Sequence, residues 1–91
     1  LSIMPEIAVT TMTVRVLLFA RYAELLGHDA MELVLDSPAT VADAVHRLRS
    51  APGGDALPSK LLCAVNLTQA GPNTALNSGD ELAILPPLSG G

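Results

Sequence analysis

Strand-period and helix-period segments follow one another along this chain in an order that specifies an α+β fold: a sheet of four to five strands with one main helix on one face. Three observations carry the reading. Residues 29–36 alternate, with Met31, Leu33 and Leu35 on one side and Glu32, Val34 and Asp36 on the other, the period of a half-buried strand. Val41, Ala44, Val45 and Leu48 recur at helical spacing and fall on one face of residues 40–50. Segments rich in Gly and Pro separate these elements, and such residues punctuate turns.

The elements take their order from the N-terminus. Residues 13–20, TVRVLLFA, are β-branched and large apolar and predict a first strand. Residues 21–27 predict a short helical turn ended by Gly27. Residues 29–36 are the second strand, close enough in sequence to pair antiparallel with the first. The main helix covers residues 40–50. Thr40 is its expected N-cap and Asp43 sits in the first turn, while Arg47 and Arg49 lie where the dipole favours cations. Residues 51–59 hold Pro52, Gly53, Gly54 and Pro58 and predict a loop. A third strand covers residues 60–66, and residues 67–70 continue it through a tight turn. After the turn-rich residues 71–79, residues 81–85 form the last strand, stopped by Pro86 and Pro87, which cannot continue a ladder. Strand, strand, helix, strand, short strand, strand is the order of the ubiquitin-like β-grasp fold, and one amphipathic helix can cover such a sheet. That resemblance implies a mixed sheet, with the first and last strands parallel neighbours at its centre.

The chain has 91 residues and reads as one domain. Residues 1–12 are expected to be a flexible N-terminal extension, residues 13–86 the folded domain and residues 87–91 an extended tail. A chain this size buries about 60–65% of its unfolded surface, enough for one core but not for a deep enclosed active site. Its formal net charge is −4, with five Lys and Arg against nine Asp and Glu. That balance argues against nucleic-acid binding, which needs clustered cations. No apolar run approaches the ~18 residues of a membrane span. The first twelve residues lack the basic start of a signal peptide. The single Cys63 has no partner for a disulfide and fits a reducing compartment, so the expected location is cytoplasmic.

Polar residues mark which way each strand faces. Arg15 assigns Leu17 and Phe19 to the solvent side of the first strand and Val14, Val16 and Leu18 to the helix side. Glu81 does the same for the last strand, turning Ala83 and Leu85 outward with it and Leu82 and Ile84 inward. Lys60 places Cys63 and Val65 inside. If the end strands are neighbours, Leu17, Phe19, Ala83 and Leu85 form an apolar patch on the face without the helix. Such a patch marks a partner surface, unless residues 21–27 or a loop cover it.

The chain ends Leu85-Pro86-Pro87-Leu88-Ser89-Gly90-Gly91. A Gly-Gly terminus arises by chance in about one chain in 200, but here it directly follows the last strand, with two prolines stiffening the exit. Fully extended, residues 86–91 reach about 20 Å. Glycine has no Cβ, so a terminal carboxylate on such a tail can enter a pocket too narrow for any side chain. A carboxylate is a poor electrophile. Adenylation with ATP converts it to a mixed anhydride, and a sulfur nucleophile then gives a thiocarboxylate at the tip. No catalytic side chain of this chain is required.

VRVLLFARYAELLG, KLLCAVN and GDELAILPPLSGG resemble, in the same order, segments of molybdopterin synthase small subunits, members of the ubiquitin-like sulfur-carrier family. The resemblance covers residues 13–91, and its most specific piece is the ending PP-x-[ST]-GG. It implies that an activating enzyme related to ubiquitin-activating enzymes, an adenylyltransferase using ATP, adenylates Gly91. A sulfur donor system supplies the sulfur. The thiocarboxylate then enters the large synthase subunit, in a heterotetramer, where sulfur passes to cyclic pyranopterin monophosphate to build the dithiolene of molybdopterin for molybdenum cofactor biosynthesis. Gly91 and Gly90 are then the reacting tip, while Leu17, Phe19, Leu85, Pro86, Pro87, Leu88 and Ser89 touch partners. The chain itself is implied to be a non-catalytic sulfur donor whose partner supplies the catalytic side chains, with no stably bound cofactor and no metal. Family members often carry aromatic residues before the prolines; Ile84 and Leu85 stand there instead. The same tail chemistry would also serve a carrier for thiamine, cysteine or tRNA thiolation, or a ubiquitin-like protein modifier.

Other polar residues carry less. Cys63, inward on a central strand, reads as a small buried hydrophobe rather than a thiol relay. His28 and His46 are isolated from other metal-ligating types. Asp80 and Glu81 begin a strand. Arg15, Arg21 and Lys60 either bind acidic groups of a partner or are ordinary surface charge. Asn66 serves the turn after its strand.

Overall fold

The computed structural model describes residues 10–86. β1 (Thr11–Leu18) is followed by α1 (Ala20–Leu26), β2 (Ala30–Asp36), a two-residue β3 (Ala39–Thr40) and α2 (Val41–Arg49). A single 3-10 turn, Gly54–Ala56, leads to β4 (Leu62–Val65), β5 (Thr68–Ala70), β6 (Ala75–Leu76) and β7 (Glu81–Leu85). Five strands form one sheet in the order β2-β1-β7-β4-β5, and β3 pairs with β6 beside it. β1 and β7 are parallel neighbours, Arg15 opposite Glu81 and Leu18 opposite Ile84, and the other pairings are antiparallel. The sheet is therefore mixed and the domain α+β, a ubiquitin-like β-grasp. Parallel neighbours need a crossover connection between them, and α2 supplies it.

β1 begins and ends two residues before the expected 13–20. Thr11 pairs with Asp36 and Met12 with Leu35, and Met12 is buried, continuing the alternation of Val14, Val16 and Leu18. Thr11 and Met12 thus belong to the domain, and the expected extension through residue 12 is two residues too long. At the other end Ala20 takes φ +51°, which stops the strand and starts α1. α1 ends as expected at Gly27, with φ +75° and its N–H bonded to Ala23 O, the left-handed cap that glycine favours.

α2 follows its periodicity. Val41, Ala44 and Leu48 are buried. Val45 is half-buried and packs at the margin of the core, not at its middle. The Thr40 N–H donates to the Asp43 carboxylate at 2.8 Å, and the Asp43 N–H donates to Thr40 Oγ1 at 3.4 Å. This reciprocal box satisfies two orphan donors of the first turn.

The loop after α2 is held tightly. A Cβ on Gly53 would stand 1.9 Å from Leu25 O, and one on Gly54 would stand 1.9 Å from Leu48 O. The backbone therefore runs against the C-terminal turns of both helices, as only glycine permits. The Arg49 guanidinium donates to the carbonyls of Leu57, Pro58 and Ser59 at 2.8–3.1 Å. β4 is shorter than the expected 60–66, beginning at Leu62 once that loop has closed. Asn66 and Leu67 form the expected tight turn to β5, both with positive φ (+49° and +73°), the hairpin geometry that matches strand twist.

Candidate functional site

The face of the sheet away from α2 has the alternation set by Arg15 and Glu81. Phe19 is 42% exposed, and Leu17, Ala83 and Leu85 are half-buried, whereas Val14, Val16, Leu82 and Ile84 are 0% exposed beneath the helix. Register brings the outward residues into rows. Ala30, Leu17, Ala83 and Ala64 lie side by side across four strands, and Leu85 lies opposite Leu62 in the next row. On the other side the row is Glu32, Arg15 and Glu81. The apolar patch is thus bounded by charge on one side and runs on the other to the end of the sheet where β7 finishes.

Ala30, Leu62 and Ala64 were not among the expected patch residues. The signal for two of them was present, because the alternation from Lys60 already turns Leu62 and Ala64 outward. α1 is not the cover that the alternative reading required: Tyr22 and Leu26 are buried in the same inner cluster as Val14 and Ile84. Both helices therefore use the inner side.

β7 delivers the chain to the patch. Leu85 is its last residue and exposed Pro86 follows, so the backbone leaves the sheet beside Leu62 and Phe19. Pro87, Leu88, Ser89, Gly90 and Gly91 lie outside the described residues. Parallel pairing with β1 makes this geometry, since it brings the C-terminal ends of both strands, and with them Phe19 and Leu85, to one end of the sheet.

The remaining candidates sort simply. Cys63 is 3% exposed, and burial pushes its thiol pKa up, holding it protonated and unreactive. His28 and His46 are exposed, and no group of three or more His, Cys, Asp or Glu among the described residues is placed to hold a metal ion. Asp80 and Asn66 support structure: the Asn66 amide donates to Asp80 Oδ1 and accepts from the Glu81 N–H, both at 2.9 Å. Arg15 sits between Glu32 and Glu81 on neighbouring strands, and Arg21 and Lys60 are exposed. Among the described residues no helix is long and apolar enough to cross a membrane.

Sheet order, crossover helix and C-terminal end of β7 define a ubiquitin-like β-grasp protein with an apolar patch on the face away from its helices. The profile of the ThiS family matches residues 16–91, and the chain belongs to that family. It is 41% identical over 80 residues to the molybdopterin synthase sulfur carrier subunit of Escherichia coli (strain K12), covering 86% of this chain and 99% of that one. The corresponding subunit of Haemophilus influenzae is 43% identical over 81 residues, covering 84% and 96%. Small archaeal modifier protein 1 of Haloferax volcanii is 38% identical over 85 residues, covering 81% and 95%. A crystal structure of the Haloferax protein superposes with a TM-score of 0.74 at 33% identity, covering 87% of this chain and 99% of that one.

Proposed function

We propose that this chain is the sulfur-carrier subunit of a cytoplasmic molybdopterin synthase, carrying sulfur as a thiocarboxylate on Gly91. The observation that carries the reading is the junction of patch and tail: β7 ends at Leu85 inside an apolar patch, and the sequence beyond it is Pro-Pro-Leu-Ser-Gly-Gly. The identity to two relatives named as molybdopterin synthase sulfur carrier subunits supports the pathway.

The chemistry needs only the terminal carboxylate. Its oxygen attacks the α-phosphorus of ATP in the activating enzyme, and pyrophosphate leaves. A sulfur nucleophile attacks the acyl carbon, AMP leaves, and the thiocarboxylate remains. The carrier then docks on the large subunit through Leu17, Phe19 and Leu85, and the tail from Pro86 to Gly91 threads toward the pterin precursor. The catalytic side chains there belong to the large subunit. This chain binds no cofactor stably, and ATP is consumed by the activating enzyme.

The test is a reconstitution with an activating enzyme, ATP, a sulfur donor, a large subunit and cyclic pyranopterin monophosphate. The chain should gain the mass difference between sulfur and oxygen, lose it only when the pterin precursor is present to take the sulfur, and yield one dithiolene for every two carriers discharged. The similarity to an archaeal modifier protein favours one alternative, conjugation of the same tail to lysines. Covalent adducts of other proteins with unchanged pterin would establish that reading instead.

A further inference from the structure

The helix side carries a second surface that the carrier chemistry does not use. A groove of about 630 Å³ runs between α2 and the β4–β5 edge of the sheet. Val41, Val45, Leu61, Cys63 and Ala70 make its apolar floor and walls. His46, Arg49 and Lys60 contribute its ionisable side chains, and no carboxylate lines it, although acids outnumber Lys and Arg nine to five in the chain.

We propose that this groove receives an extended segment of a partner protein, laid along the free edge of β5, whose groove-facing side chains are partly apolar and partly acidic. Three features select that occupant. β5 is the last strand of the sheet order, so its outer backbone edge has no strand partner among the described residues, and an added strand can pair there while its alternate side chains fill a pocket. The floor is apolar, which suits apolar side chains on the groove-facing side of such a strand. Arg49 and Lys60 line the same groove as that floor, so carboxylates suit other positions on the groove-facing side, which a strand fills with every second residue. Arg49 is fixed by its bonds to the Leu57, Pro58 and Ser59 carbonyls, which hold its charge in place without cancelling it. The groove lies on the opposite side of the sheet from Leu17, Ala83 and Leu85, so both surfaces can be occupied at once.

The experiment titrates the isotope-labelled full chain with a short synthetic peptide in which valine and aspartate take turns at every second position with threonine between them, and with its counterpart bearing lysine for aspartate. Amide shifts should concentrate at Val45, Leu61, Cys63 and Gln69. The aspartate peptide should bind at least roughly tenfold more tightly than the lysine one and weaken with salt. Lys60→Glu should reduce that affinity, and Lys60→Arg should keep it, with both variants melting like the parent. Shifts on Leu17 and Ala83, equal binding of the two peptides, or Lys60→Glu binding like the parent would overturn the proposal. Shifts that move with the chain's own concentration without peptide would also overturn it, naming a second copy as occupant.

Discussion

The Asn66 side-chain amide donates to Asp80 Oδ1 across 2.9 Å, joining the tip of the β4–β5 hairpin to the residue before β7. Asp80 is itself anchored: its second oxygen accepts from the Asn77 N–H at 2.8 Å, and its carbonyl accepts from the Arg15 N–H at 2.9 Å. Two turns and the central strand pair thus meet on one residue, the turns on its carboxylate and β1 on its backbone carbonyl. Asn66→Ala should destabilise the domain by about 1–2 kcal/mol, combining lost hydrogen bonds at a solvated site with the left-handed backbone that Ala tolerates poorly. Asn66→Gly should recover the backbone part alone. Urea melts of Asn66→Ala, Asp80→Ala and the double variant give the coupling, and strict additivity would mean the bond contributes nothing.

Leu67, next in the same turn, is 91% exposed at φ +73°. It buries almost nothing and holds a conformation costing a non-glycine residue about 1–2 kcal/mol. Leu67→Gly should raise stability by roughly 0.5–1 kcal/mol, since glycine's extra freedom in the unfolded chain offsets part of the relief. A lowered urea midpoint would show that Leu67 makes a contact the fold depends on.

The glycines separate by mechanism. At Gly53 and Gly54 an added methyl would overlap backbone carbonyls of the two helices, and neither helix can move without disturbing the core. Gly54→Ala should therefore cost upward of about 2 kcal/mol by overpacking. Gly27 has open space around its Cβ position and only its positive φ to protect, so Gly27→Ala should cost about 1 kcal/mol. Equal losses in thermal melts would contradict this division.

These contrasts show what the sequence holds and what it does not. The faces of β1 and β7 were legible because each strand carries one charged residue, Arg15 or Glu81, that fixes the phase of an otherwise apolar run. α2 was legible from its stripe, the Thr40 N-cap and the first-turn Asp43. The span of β4 was not, since Lys60 and Leu61 are drawn into a loop pinned by Arg49, a contact between residues eight to ten apart with no periodic signature. Nor could local pattern reveal the φ of +51° at Ala20, a residue type that rarely takes positive φ. The patch was legible in part: its centre came from two strands with polar markers, and its extension to Ala30 needed the register.

Burial separates docking from folding. Leu48 is 0% exposed on the inner face of α2 and Phe19 is 42% exposed at the end of β1. Leu48→Ala should cost about 2–5 kcal/mol through the cavity it leaves. Phe19→Asp should alter stability by no more than about 0.5 kcal/mol, as at an open surface, yet weaken binding to the activating enzyme or the large subunit by burying an unpaired charge there. Calorimetric binding beside thermal melts distinguishes the two. Unfolding of Phe19→Asp, or undiminished binding to both partners, would remove the patch from the proposed function.

The terminal carboxyl carbon is the proposed reacting atom, so the tail must have one length. Pro86 is the last described residue and is exposed, and Gly91 has no side chain with which to stabilise a core. Deleting Gly91, or adding one residue after it, should therefore leave the melting temperature unchanged. A one-residue error moves the reacting carbon by about 3.5 Å, and in a positioned reaction even ~1 Å can cost a factor of 100. Sulfur transfer should fall below detection in both variants. Docking through Leu17, Phe19 and Leu85 should persist, because those residues are untouched. Each variant should then compete with the intact carrier for the large subunit, and added intact carrier should relieve the inhibition. The readouts are dithiolene formation with purified partners, the inhibition pattern and a melting curve. Normal product from the extended variant would place the sulfur somewhere other than the C-terminus and end the thiocarboxylate reading, while loss of both product and competition would mean that the tail, not the patch, supplies the affinity.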